Sequence, residues 1–259
     1  MALIKKFRIK KFKETEEILK LDKISMFYNK RQILNSLDLI INKQEILGML
    51  GPNGVGKSTI FHIITGLKDP SYGRVFINGN DCTNIPIYER ATKFKLGYVP
   101  QYGGFIQDLS LIENLNLVGE IHIKDKNLRV TKIEKIISQF EFDPLLKIKA
   151  KHLSGGQKKK LVISMALIND PNILLLDEPF AALDILTIKM LQEIIVNLQT
   201  ENPKISIIIC DHAARDILAV ADSSIILSNG KVIAQGTPSQ LMNNVTARSQ
   251  YFGDSFKFN

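Results

Sequence analysis

Glu45-Ile46-Leu47-Gly48-Met49-Leu50-Gly51-Pro52-Asn53-Gly54-Val55-Gly56-Lys57-Ser58 is the stretch that decides the fold. An apolar run of strand length leads into a glycine-rich turn, and residues 57–67 then carry helical patterning. Residues 51–58 match the G-x-x-x-x-G-K-S pattern in full, in the strand–turn–helix context that pattern requires. Its glycines let successive backbone N–H groups turn toward an anion, and the helix that follows adds its dipole. Gly51, Pro52, Asn53, Gly54, Val55 and Gly56 would therefore cradle phosphates, with Thr59 beside them at the start of the helix. Lys57 would reach the β- and γ-phosphates, and Ser58 would ligate Mg²⁺.

Working outward, residues 173–176, 205–210 and 224–227 are continuous apolar runs of strand length, as in parallel strands buried on both faces. Residues 187–198 and 213–221 between them read as helices, and 231–234 as a last strand after the Asn229-Gly230 turn. On the amino-terminal side, 23–28, 37–41 and 75–77 read as strands, the last closed by Asn78-Gly79. Residues 86–170 change character. They are rich in Lys and Glu, with Ile133, Ile136, Ile137 and Phe140 at helical spacing, and are expected to form an inserted helical subdomain over about 88–165. The run at 173–176 ends in Asp177-Glu178. A strand-end Asp suits Mg²⁺ in phosphoryl transfer, and the next carboxylate can orient and deprotonate a water.

Leu153-Ser154-Gly155-Gly156-Gln157 completes the set. With the two motifs above, and in this order, the chain resembles the ATP-binding-cassette (ABC) ATPase family over residues 21–240. The resemblance implies an α/β P-loop (RecA-like) core with an antiparallel β subdomain and an inserted α-helical subdomain. It implies ATP and Mg²⁺ as cofactors. It also implies that Asp177 holds the metal and that Glu178 serves as the catalytic carboxylate. Carried over residue by residue, Tyr28 resembles the aromatic that stacks on adenine, with Phe27 as its neighbour and alternative. Gln101 in Tyr98-Val99-Pro100-Gln101 resembles the Q-loop glutamine, a catalytic and metal-contacting group that reports to a membrane partner. Ala182-Leu183-Asp184 resembles the D-loop, and His212 the switch histidine on the γ-phosphate. His62, His122 and His152 match nothing in the set. In this family Ser154, Gly155, Gly156 and Gln157 face the ATP of a second subunit, so a homodimer with ATP sandwiched between the copies is implied.

The Asp177-Glu178-Pro179-Phe180-Ala181 step, Leu218-Ala219-Val220, and residues 230–238 and 251–256 resemble the ATPase subunit of bacterial lipopolysaccharide export (Lpt) transporters. Branched-chain amino-acid import ATPases share part of the tail. The resemblance implies two transmembrane permease subunits docking near the Q-loop, and a place in the cytoplasm, peripheral on the inner membrane. Departures are Gln44 where a Gly is usual, Lys158–Lys160 in place of an Arg run, and Gly103-Gly104-Phe105-Ile106 in the Q-loop.

Composition sets the limits. The 259 residues are 45 % hydrophobic, enough to exclude wholesale disorder. Apolar stretches fall far short of the ~20 residues of a membrane helix. Cys82 and Cys210, the only two cysteines, make neither a disulfide framework nor a zinc site. The net charge is +8, and residues 1–20 hold seven Lys and Arg against three Glu. That basic extension reads as a solvated arm or, with Phe7 and Phe12, as a contact with anionic lipid. Nucleic acid is not an expected partner, because Trp is absent and the lysines are dispersed after the leader; a nucleic-acid-associated ABC ATPase is the more distant alternative. Residues 241–259 are expected to be a C-terminal tail. If the arm touches membrane, deleting residues 1–15 should abolish sedimentation with anionic liposomes, whereas equal sedimentation of both forms would exclude that contact.

Overall fold

The computed structural model describes residues 16–202 and 204–253. Most of the basic arm lies outside them. The chain opens with a pair of long antiparallel strands, β1 (Glu17–Tyr28) and β2 (Arg31–Asn42). β3 (Ile46–Leu50) runs through the glycine-rich turn into α1 (Lys57–Thr65). Strands β4 (Tyr72–Ile77) and β5 (Asn80–Asp81) return to β1 and complete a four-stranded antiparallel sheet in the order β2-β1-β4-β5. α2 (Ile87–Lys93) and β6 (Leu96–Val99) follow. Three helices then make up the helical part: α3 (Leu111–His122), α4 (Lys126–Phe140) and α5 (Gly155–Leu167). β7 (Ile173–Asp177), α6 (Ile185–Glu201), β8 (Ser206–Cys210), α7 (Ala214–Val220), β9 (Ser223–Ser228) and β10 (Lys231–Gly236) complete a six-stranded sheet in the order β10-β9-β3-β8-β7-β6. All its neighbours are parallel except β10 on β9.

The central strands are apolar throughout because they are covered on both faces. Every residue of β3, β7 and β8 is buried. Their side chains alternate between two cores. Leu47, Met49, Ile173, Leu175 and Ile208 join the core shared with α1 and the antiparallel sheet. Ile46, Leu50, Leu174, Leu176, Ile207 and Ile209 join the core shared with α6 and the helical part. α1 is wedged between the two sheets, with Ile60, Phe61, Ile63 and Ile64 fully buried. That wedge fixes the direction of its first turn, where the phosphate-loop residues lie.

Two expected boundaries are corrected, and the carboxyl-terminal tail is found packed. β1 begins at Glu17, inside the extension drawn to residue 20. Ile18, Leu19 and Leu21 are buried against β2 and β4, and the polar neighbours Glu17 and Lys20 hid that pattern in a charged leader. Residues 96–99, placed in the helical subdomain, form β6 at the edge of the six-stranded sheet, paired with β7; the strand is too short for its period to show against helical flanks. Residues 241–252 fold back on the body: α8 (Pro238–Asn243) and the turns after it bury Leu241 and Ala247 completely.

Arg90 on α2 is the largest fully buried side chain. It donates to the carbonyls of Ile63 and Ile64 in the last turn of α1 at 2.7 and 2.9 Å, and to Thr83 and Ile85 at 2.8 and 2.6 Å. A cation at a helix C-terminus also opposes the dipole favourably. Arg90→Leu would remove the guanidinium from four carbonyls, of which Ile63 keeps a bond from the Gly66 N–H, and is expected to destabilise the fold by about 3 kcal/mol, read in a urea melt. Arg90→Lys cannot reproduce the planar fork and should recover only part of the loss.

Candidate functional site

The carboxyl ends of β3, β6, β7 and β8 meet on one side of the six-stranded sheet, the crevice side where ligands sit in open α/β sheets. The turn after β3 carries the first group of predicted residues. Gly54 and Gly56 have φ of +77° and +112°, conformations an L side chain rarely adopts, and a Cβ at Gly56 would come within 2.8 Å of Leu34. Lys57 is almost wholly buried and curls back over the loop, its Nζ donating to the carbonyls of Gly51 at 2.7 Å and Pro52 at 3.1 Å. Tyr251, near the carboxyl end of the described chain, interacts with the Gly51 backbone, a contact the sequence did not suggest.

Asp177 ends β7 and is 2 % exposed. Its Oδ1 accepts from Ser58 Oγ at 3.2 Å and from the Cys210 thiol at 2.8 Å, and its Oδ2 accepts from the Tyr98 hydroxyl at 3.2 Å. Burial, reinforced by the Asp177 charge, holds both the Tyr98 hydroxyl and the Cys210 thiol above their ordinary pKa, so both remain protonated donors. Both were missed as site residues. Tyr98 read as part of the Q-loop motif and Cys210 as part of neither a disulfide framework nor a zinc site, and only the sheet register places them on either side of Asp177.

Glu178 follows with φ of +47°. Its N–H donates to the Cys210 carbonyl at 2.7 Å, and its carboxylate accepts from Gln101 Nε2 at 2.6 Å. His212 lies beyond β8, half exposed, with Nδ1 3.9 Å from Glu178 Oε2 and 3.4 Å from Asp211 Oδ1. Asp211 is fully buried and organises both loops. Its Oδ1 accepts from the N–H groups of His212 and Ala213, and its Oδ2 from the N–H of Phe180. Lys57, Ser58, Gln101, Asp177, Glu178 and His212 thus belong to one cluster.

The remaining predicted residues do not join it. Ser154 and Gln157 bond reciprocally in a capping box at the start of α5, so the Gln157 side chain is used within the chain. Ser154 and Gly155 are exposed. A Cβ at Gly156 would meet Thr187 at 2.5 Å, and one at Gly155 would meet Leu183 at 3.2 Å, so the signature backs onto the Ala182-Leu183-Asp184 turn. Asp184 caps α6 through Leu186 and Thr187, and those hydrogen bonds hold its pKa below the ordinary carboxylate value. Tyr28 and Phe27 are both about one-third exposed at the end of β1; Lys68 Nζ sits 4.4 Å from the Tyr28 ring, and Phe27 packs edge-on to Tyr72.

Residues 34–181 match the family model described as ABC transporter. The chain belongs to the ABC transporter family. As an ATP-binding cassette of that family it is an ATP-hydrolysing subunit of a transporter. It is 35 % identical over 242 residues to the lipopolysaccharide export system ATP-binding protein LptB of Haemophilus influenzae, covering 93 % of this chain and 99 % of that one. It is 32 % identical to LptB of Escherichia coli K12, covering 89 % and 95 %. An uncharacterised ABC transporter ATP-binding protein of Rhizobium meliloti is 36 % identical over 88 % of this chain and 84 % of its own. Among solved structures, the cassette MJ1267 in its ADP conformation superposes with a TM-score of 0.82 at 26 % identity, covering 93 % of this chain and all of that one. A dimeric post-hydrolysis state of MJ0796 bound to ADP and Pi gives 0.75 at 27 %, over 85 % and 99 %.

The residues present fit a nucleotide with Mg²⁺. The loop offers left-handed glycines and a lysine to phosphates. Ser58 Oγ and the Asp177 carboxylate are hard oxygen donors within 3.2 Å of each other. Two protein oxygens suit Mg²⁺, which keeps waters and draws other ligands from phosphate. Tyr98→Phe, which deletes one donor to Asp177, should raise the Mg²⁺ concentration for half-maximal ATPase activity about tenfold, the low end for outer-shell substitutions. A Mg²⁺ titration of the variant checks it.

Proposed function

We propose that this chain is the nucleotide-binding subunit that powers extraction of lipopolysaccharide from the inner membrane for export. The observation that carries the reading is the near-complete coverage of the curated LptB relatives, 99 % of the Haemophilus influenzae protein at 35 % identity. Cassettes that import branched-chain amino acids share part of the tail sequence and are the second reading.

In the proposed reaction, loop amides and Lys57 bind the β- and γ-phosphates, with Gly51 to Gly56 shaping the cradle and Thr59 at its end. Tyr28 stacks on the adenine. Ser58, Asp177 and Gln101 hold Mg²⁺, which supplies charge neutralisation on the phosphates. Glu178 orients the attacking water and takes its proton, while His212 contacts the γ-phosphate. Glu178 meets these demands with a carboxylate already fixed by Gln101 and a backbone fixed by Cys210. Ser154 and Gly155, exposed at the start of α5, with the buried Gly156 behind them, meet the nucleotide of a second copy, with Asp184 at the same interface. One chain then supplies half of each of two sites, and the working unit is a homodimer.

No helix among the described residues is long and apolar enough to cross a membrane. Transport therefore needs membrane subunits, and we place their contact in the groove lined by Leu96, Pro100, Gly104, Val118, Val162 and Met165 beside the Q-loop. The groove joins β6 to the helical part, so a partner seated there would press on the segment that carries Gln101.

Glu178→Gln is expected to lower turnover by about 10²–10⁴-fold and to accumulate an ATP-dependent dimer visible by light scattering. Lys57→Ala should lose ATP binding and, with it, the dimer. Co-purification from native membranes tests the substrate: lipopolysaccharide-export subunits would support the first reading, and solute permeases would replace it with the second.

A further inference from the structure

Lys159 lies one turn into α5, four residues beyond Gly155 and about 6 Å further along the axis. Its half-buried side chain leaves the helix and donates from Nζ to two backbone carbonyls, Gln101 at 2.8 Å and Glu178 at 3.2 Å. Both acceptors are main-chain atoms, so Lys159 leaves the side-chain hydrogen bond between Gln101 and Glu178 undisturbed. Burial draws the ammonium pKa down, while the charges of Asp211, Asp177 and Glu178 oppose the shift.

The Glu178 contact is informative because that residue holds a left-handed backbone, which is strained in a non-glycine residue and persists only where the surroundings fix it. Its peptide is pinned on both sides, the N–H by the Cys210 carbonyl and the C=O by Lys159. The same helix starts at the signature, whose Gly155 and Gly156 press on Leu183 and Thr187. One rigid element thus touches the surface assigned to the partner's nucleotide at one end and the hydrolytic loops of its own chain one turn later.

We propose that Lys159 is a positioning residue that couples the two half-sites of a chain, holding the Gln101 and Glu178 loops in register with the signature helix. The proposal rests on the ATPase dimer reading above. Lysine suits the task because one compact ammonium meets two carbonyls from different loops, whereas methionine of similar length offers neither of them an N–H; the Glu178 carbonyl would keep only the longer bond from the Ala181 N–H at 3.4 Å.

The test uses the full chain in three forms: wild type, Lys159→Met and Lys159→Arg. Steady-state ATP hydrolysis gives kcat and KM, and a fluorescent ATP analogue gives nucleotide affinity. Light scattering in the Glu178→Gln background gives the ATP-dependent dimer. Lys159→Met is expected to lower kcat at least tenfold, with KM and analogue affinity within twofold and the dimer retained. Lys159→Arg, which keeps the charge and two donors, should recover at least a third of wild-type turnover. A Lys159→Met enzyme with wild-type kcat overturns the proposal alone. Joint loss of analogue binding and dimer overturns it too, because the residue would then be packing the subdomain, and so does an Arg variant no better than Met. A wild-type chain that neither hydrolyses ATP nor, as Glu178→Gln, dimerises with it removes the underlying ATPase reading and the proposal together.

Discussion

A carboxylate taken out of water must be answered by donors, and Asp177 imposes that requirement on the strands around it. Its place at the end of a strand buried on both faces leaves it 2 % exposed. An unpaired charge there would cost several kcal/mol. The thiol of Cys210, the hydroxyl of Tyr98 and the hydroxyl of Ser58 meet it from three separate elements. β6, β8 and the first turn of α1 are thereby held in fixed positions around β7. The wedge of α1 between the two sheets follows the same logic from the apolar side: a helix with four consecutive-turn residues fully buried cannot rotate without exposing them.

Much of this was legible in the sequence because short-range rules act on it directly. Residues 51–58 declare a turn by their glycines, Asp177-Glu178 ends an unbroken apolar strand, and the central strands show the all-apolar runs of a two-sided sheet. What escaped is what only pairing reveals. β6 has four residues, too few for a period, and became visible through its register on β7. Ile18, Leu19 and Leu21 were masked by the charges between and around them. The two donors to Asp177 that were missed, Tyr98 and Cys210, lie 79 residues before it and 33 after it, separations on which local pattern is silent. Gln157, assigned to nucleotide, spends its side chain on the cap of its own helix.

The two parts of the predicted site are separate within one chain, and that separation is itself informative. The phosphate loop, Asp177, Glu178 and His212 form one cluster, while Ser154, Gly155 and Asp184 face outward on the helical side. A signature that capped its helix with every donor turned inward would have no surface to offer. Here the cap uses the Ser154–Gln157 pair and leaves the turn itself exposed. The close packing of Gly156 on Thr187 then passes any shift of that turn to the start of α6.

Lys57 illustrates how folding prepares a ligand site in advance. Its ammonium is already stripped of most water and rests on the carbonyls of Gly51 and Pro52. The loss of hydration has therefore been incurred during folding. In the proposed reaction, a phosphate would take over from neutral carbonyl partners without first dehydrating a mobile cation. The lysine also staples the two ends of the loop. On that proposal, nucleotide binding would be a change of partners at a standing charge.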